Sequence, residues 1–151
     1  MQKPESIPVR YSNSLLQTPI DPTNRFEFGA NWAAFLSGVD RPQVERAKQS
    51  LQSFLGLETL QGKSFLDVGS GSGLSSLAAH ELGATVHSFD FDPQSVQCTR
   101  EIKHRYARTN TTWTIERGSV LDVDFLTRLG TFDVVYSWGV LHPYRISLAG
   151  L

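Results

Sequence analysis

From Lys63 to Ser137 the chain alternates between short apolar runs and longer stretches whose apolar residues recur every three or four positions. The short runs predict strands and the longer ones helices, because side chains repeat every second residue along a strand and about every 3.6 along a helix. Strands are expected at Lys63–Val68, Ala84–Phe89, Thr111–Glu116 and Phe132–Ser137. Helices are expected at Ser72–Leu82, stopped by Gly83, and at Asp122–Leu129. Another begins at Asp92-Pro93, with Val96, Ile102 and Tyr106 on its apolar side. Asp92 suits its cap and Pro93 its first turn, where the missing N–H costs nothing. Upstream, Asp40-Arg41-Pro42-Gln43 has the form of a capping box. Val44, Ala47, Leu51, Phe54 and Leu55 then mark one helical face, ending near Gly56.

Strands alternating with helices imply parallel βαβ units, and hence an α/β fold with a doubly wound, mostly parallel sheet. Ligands in such sheets sit beyond the carboxyl ends of the strands, where the strand order reverses. The segment before this series divides in two. Residues 1–24, with Pro4, Pro8, Pro19 and Pro22, read as an extended arm. The run RFEFGANWAAFLSGVD holds Phe26, Phe28, Trp32 and Phe35, expected to cover part of the core or a pocket.

Composition narrows the function classes. A length of 151 residues, 40% hydrophobic and 11% aromatic, suits one globular domain. A formal charge of -1 carries no overall footprint for nucleic acid, so no such partner is expected. Arg100, Lys103, His104, Arg105 and Arg108 form a local basic cluster, read either as a solvated helix end or as a patch for an acidic substrate. Cys98 is the one cysteine, so no intrachain disulfide forms; a quiet thiol is expected. The histidines show no metal-ligand spacing, and no metal is expected. No apolar block resembles a signal peptide or a membrane span of about 20 residues, and a cytoplasmic location is the default.

The chemistry concentrates in FLDVGSGSGLSS. Gly69, Gly71 and Gly73 form GxGxG between a strand and a helix, whose free N–H groups face any ligand there. No lysine follows Gly73, so this is not a phosphate-cradling P-loop. A dinucleotide fingerprint needs a third glycine, yet counting from Gly69 that place holds Leu74, and from Gly71 it holds Ser76. Asp67, inside the first strand, would repel a pyrophosphate. It suits a ligand with positive charge, or a loop brace accepting backbone N–H groups. Asp90 ends the second strand, where an acid accepts both hydroxyls of a ribose. Phe91 beside it is either a wall for an adenine ring or a core aromatic.

An acid before GxGxG and an acid ending the next strand resemble the class I S-adenosylmethionine-dependent methyltransferases. FLDVGSGSG is similar to their motif hhDhGxGxG, FDFDP to their second-strand ending, GSVLD to their adenine-contacting segment and FDVVYSWGVLH to their fourth strand and following loop. The resemblance covers about Leu60 to His142 and implies a Rossmann-like fold with S-adenosylmethionine as cofactor. It implies that Gly69, Ser70 and Gly71 approach the methionine and ribose, and that Asp67 places the cationic amino-acid end. Asp90 would hold the ribose, Phe91 would flank adenine, and Ser119 and Val120 would meet its edge. Ser137 and Trp138 would line the mouth near the methyl group. Ser119 stands where many members have Asp. Phe28, Asn31 and Trp32 look like a cap over the cofactor.

The implied reaction is in-line attack of a substrate oxygen, nitrogen or carbon on the sulfonium methyl, with proximity supplying much of the catalysis. A base is needed only where the nucleophile must lose a proton, and His142 is the candidate; its alternative is a surface-loop histidine. The acceptor is expected to be a small molecule. Family domains continue with three more strands, whereas HPYRISLAGL follows the motif here. The expectation is therefore an incomplete sheet of about four strands in the order 3-2-1-4, with a helical N-terminal segment. Residues 25–151 would be the N-terminal part of a truncated or split methyltransferase, able to self-associate through an open fourth-strand edge. Two other readings remain: an inactive cofactor-binding or interaction remnant, and an NAD-dependent oxidoreductase.

Overall fold

The computed structural model of the protein describes residue 34, residues 36–108 and residues 112–138. Its elements follow one another as α1 (Arg41–Leu55), β1 (Ser64–Val68), α2 (Leu74–Glu81), β2 (Thr85–Asp90), α3 (Pro93–Tyr106), β3 (Trp113–Arg117), α4 (Val123–Leu129) and β4 (Val134–Tyr136). The strands make one parallel sheet in the order β3-β2-β1-β4. This is the expected α/β arrangement, including the reversal between β1 and β4. The proposed arm, the aromatic segment with Phe28, Asn31 and Trp32, and His142 lie outside the described residues.

Alternation along the strands sends side chains to two apolar layers. Phe65, Val86 and Trp113 face α1, α2 and α3, meeting Val44, Leu51, Leu77 and Ile102. Leu66, Val68 and Phe89 face the opposite side and meet Phe125 of α4, with Phe132 beside them. Toward the carboxyl ends of β1 and β2 the first face turns polar, with Asp67 paired in register to Ser88.

The helix starts have chemical causes. Asp40 accepts from the Gln43 backbone N–H while the Gln43 side chain accepts from the Asp40 N–H, a complete capping box. Asp92 caps α3 through the Gln94 N–H, ahead of Pro93. Asp122 caps α4 through the Phe125 N–H. The basic side chains of Lys103, His104 and Arg105 fall in the last turn of α3, where the helix dipole favours positive charge. Cys98 is buried, and burial pushes its thiol pKa up.

Several boundaries differ from the sequence pattern. Strand β3 runs on to Arg117 because that residue pairs with Asp90 and the Gly118 N–H donates to the Asp90 carbonyl. Strand β4 starts only at Val134 because the Asp133 carboxylate instead accepts the Ser64 N–H and Oγ–H at 2.7 and 2.8 Å. Phe54 does not join the α1 core face. It is 67% exposed, past the end of the apolar layer, with edge-on ring contacts to Tyr136 and Trp138. Among the described residues no helix is long and apolar enough to cross a membrane.

Helix α2 starts at Leu74 rather than Ser72 because Gly73 has φ 84°, a left-handed conformation incompatible with a helix interior. A Cβ on Gly73 would also lie 2.8 Å from the Thr99 Cα of α3. Gly56 has φ 65° but open space around its Cβ position. Gly56→Ala is therefore expected to cost about 1 kcal/mol from backbone strain alone, and Gly73→Ala at least about twice that, because backbone must also move. Denaturant midpoints of the two variants check this; equal losses would remove the role of close approach to α3.

Candidate functional site

The glycine turn hangs on the neighbouring strand. Gly69 and Ser70 both donate their backbone N–H to the Phe89 carbonyl, at 2.9 and 3.1 Å, and Gly73 N–H closes the turn on the Ser70 carbonyl at 2.8 Å. Helix α3 adds a second anchor. Thr99 Oγ1 donates to the Gly71 carbonyl at 3.2 Å and, its single proton used, accepts from Ser70 Oγ at 2.9 Å. Thr99 was not legible as part of the turn in the sequence. Its signal lies in its place on the buried face of α3, one residue from Cys98.

Gly73 occupies the cap position of α2 and has no side chain to cap it. Asp67 supplies the missing acceptor from the strand. Its carboxylate takes the Ser76 Oγ–H at 2.5 Å and also accepts the Ser76 backbone N–H. Ser76 is the third residue of α2, whose N–H a cap side chain ordinarily holds. Asp67 is 2% exposed. Burial pushes its pKa up to about 6, against the downward pull of the Ser76 hydrogen bonds, and the nearby Asp90 charge raises it further.

Asp90 holds the turn from the other side. Its Oδ2 accepts the Gly71 N–H at 3.0 Å and its Oδ1 accepts the Asp92 N–H at 2.9 Å. The Phe91 N–H also acts on this carboxylate; with about four acceptor directions, the backbone donors do not use them all. Burial raises the Asp90 pKa, opposed by these backbone donors.

The remaining predicted residues gather along the same strand ends. Phe91 is 50% exposed and follows Asp90; the Arg117 guanidinium lies 5.4 Å from its ring centroid and donates through Nε to its carbonyl at 3.0 Å. Arg117 was not singled out in the sequence, because only the β2–β3 register brings it to Phe91. Ser119 Oγ accepts the Leu121 N–H at 3.2 Å, and Val120 packs against the α4 layer. Gly118 lets this turn pass over Phe125, since a Cβ there would lie 2.1 Å from the ring. Ser137 Oγ donates to the Val68 carbonyl at 3.3 Å, while Trp138 is 72% exposed and meets Phe54. The structure thus brings Asp67, Gly69, Ser70, Gly71, Asp90, Phe91, Ser119, Val120 and Ser137 to the carboxyl end of one sheet.

Residues 66–145 match a family described as a methyltransferase domain. Ribosomal protein L11 methyltransferase of Helicobacter hepaticus is 39% identical over 121 residues, covering 63% of this chain and 37% of that protein. The chain thus spans well under half the length of that curated relative. Among solved structures, a Methanococcus maripaludis protein described as an S-adenosyl-L-methionine-dependent methyltransferase superposes with a TM-score of 0.58 at 17% identity, over 79% of this chain and 54% of that one. Magnesium protoporphyrin IX methyltransferase of Synechocystis PCC 6803, with bound SAH, gives 0.57 at 18% identity, over 76% and 55%. These likenesses show the Rossmann-like fold.

The raised pKa of Asp67 has a testable sign. Between pH 3.8 and about 6 the folded chain keeps a proton that the unfolded chain has released. The resulting stabilisation is full below the unfolded value and is lost as pH rises through the folded one. Relative to Asp67→Asn, the wild type is expected to lose on the order of 3 kcal/mol across that window and to change little on either side. Urea unfolding of both proteins at a series of pH values measures the difference; a pH-independent difference rules out a buried titrating carboxyl.

Proposed function

We propose that the cradle binds S-adenosylmethionine for methyl transfer, because this chain belongs to the methyltransferase-domain family of class I S-adenosylmethionine-dependent enzymes. One observation carries the reading. The Asp90 carboxylate is fixed at the end of β2 by the Gly71, Asp92 and Phe91 N–H groups and, as an acceptor with about four directions, keeps capacity for hydroxyl donors. That arrangement fits the two vicinal hydroxyls of a ribose and selects for them over a phosphate. Asp67, with its negative charge beneath the turn, favours a ligand whose other end is cationic. Gly69, Ser70 and Gly71 present backbone to it. Phe91 with Arg117, and Ser119 with Val120, offer faces and edges for adenine. Ser137 and Trp138 line the mouth toward the acceptor, and His142 is the candidate base.

S-adenosylmethionine supplies an activated methyl group when bound. The chain's own contribution is to hold and orient it, so catalysis would rest chiefly on alignment with the acceptor's nucleophilic atom. A small-molecule acceptor is the reading drawn from the sequence. The second reading, a ribosomal protein as acceptor, is favoured by the 39% identical relative, whose name specifies one. The oxidoreductase alternative has no support from family.

Calorimetry with S-adenosylhomocysteine tests the site. The wild type is expected to bind, and Asp90→Ala to bind about 10- to 100-fold more weakly, from loss of charge-assisted hydrogen bonds. Equal affinity of the two proteins, or tighter binding of NAD, would overturn the assignment. Transfer of a labelled methyl group to ribosomal proteins or to a small-molecule extract separates the acceptor readings. Cofactor binding without transfer to either points to the inactive remnant.

A further inference from the structure

Four buried polar groups on four different elements form one chain beneath the glycine turn. Trp113 Nε1 on β3 donates to Ser88 Oγ on β2 at 2.8 Å. Ser88 Oγ lies 2.6 Å from Ser76 Oγ on α2, and Ser76 donates to Asp67 on β1 at 2.5 Å. All four residues are at most 2% exposed. The direction of each hydrogen bond follows from valence. An indole N–H only donates, each hydroxyl carries one proton, and an ionised carboxylate only accepts. Ser76 spends its proton on Asp67, so Ser88 must donate to Ser76. Every proton therefore points toward Asp67, and each bond polarises the next.

The chain pairs buried polar groups with one another: Ser88 accepts the Trp113 N–H and Ser76 donates to Asp67. Ser76 is buried in α2 along with Leu77, Ala78 and Ala79, and Ser88 is buried on β2, on the same face as Val86. Apolar residues would avoid desolvating two hydroxyls but would leave the Trp113 N–H and the Asp67 carboxylate without these partners. Both hydroxyls find partners only within this chain.

We propose that Trp113, Ser88 and Ser76 are positioning residues that hold the Asp67 carboxylate ionised beneath the glycine turn, so that capture of the cofactor's cationic amino-acid end is coupled to a proton. The inference rests on the cofactor site proposed above. The groups facing Asp67 are consistent with it. From β2 comes the negative charge of Asp90, which raises the Asp67 pKa. From β4 comes Tyr136, its register partner, whose own pKa is raised by burial and by the Asp67 charge. From α2, besides Ser76, His80 stacks on the Trp113 ring at 5.8 Å. Among the described residues no cation acts on Asp67. An arriving ammonium would be its first positive neighbour and would expel the proton that Asp67 retains near pH 6.

The test reads the relay with and without ligand. In the ligand-free protein, carboxyl NMR follows the Asp67 titration in the wild type, Trp113→Phe, Ser88→Ala and Ser76→Ala. The midpoint is expected to rise in all three, most in Ser76→Ala, by about one pH unit, and to return toward the wild-type value in Ser76→Thr. In the wild type, S-adenosylhomocysteine affinity is expected to fall about tenfold per pH unit below about pH 6, with the break moving up in parallel in the variants. A midpoint unmoved in folded Trp113→Phe and Ser88→Ala overturns the relay. Affinity in the wild type that is flat from about pH 5 to about pH 8 overturns the coupling while leaving the cofactor site intact. No binding at any pH removes the site and the coupling together, whereas the ligand-free titration still decides the relay.

Discussion

A carboxylate buried at the end of β1 needs donors, and the first turn of α2 needs an acceptor. The Asp67–Ser76 interaction meets both needs at once. Gly73 must be glycine to pass Thr99, so the helix begins without a capping side chain. The acceptor then has to come from another element, and the adjacent strand end is the nearest. An ionised Asp67 without those donors would be an uncompensated buried charge. An α2 start without Asp67 would leave Ser76 donors without their acceptor. The strand, the turn and the helix therefore stand or fall together.

Asp90 extends the same logic to the second strand. It is expected to take a ligand's hydroxyls, yet in the structure it already braces Gly71 and Asp92. The two tasks are compatible because a carboxylate has more acceptor directions than the backbone uses. Bracing also freezes the carboxylate's rotamer, so little ordering remains for a ligand to bring about. Phe89 contributes from the backbone, its one carbonyl holding Gly69 and Ser70. A loop of small residues becomes a rigid cradle because almost every polar group in it has an assigned partner.

The far side of the sheet is built differently. Strand β4 is short, and among the described residues it pairs only with β1. Phe54, Val135 and Trp138 are exposed there. One fold hosts many unrelated functions, so the fold by itself names no acceptor. The solved and curated relatives reflect this, with one named for a ribosomal protein and another for magnesium protoporphyrin IX.

Much was legible in the sequence because it depends on neighbours along the chain. The element series, the caps at Asp40, Asp92 and Asp122, and the glycine turn follow from spacing and local hydrogen bonding. The strand order also followed, once the motifs identified the family. Other features depend on residues far apart in sequence. Only the sheet register brings Arg117 to Phe91, ties Asp133 to Ser64, and aligns Trp113, Ser88, Ser76 and Asp67 in one buried chain. Two serines and a tryptophan carry no signal of their own, since serine and tryptophan occur in any α/β core or surface. Hydrogen bonding is short-ranged and directional, so which polar groups satisfy one another was decided by tertiary packing alone.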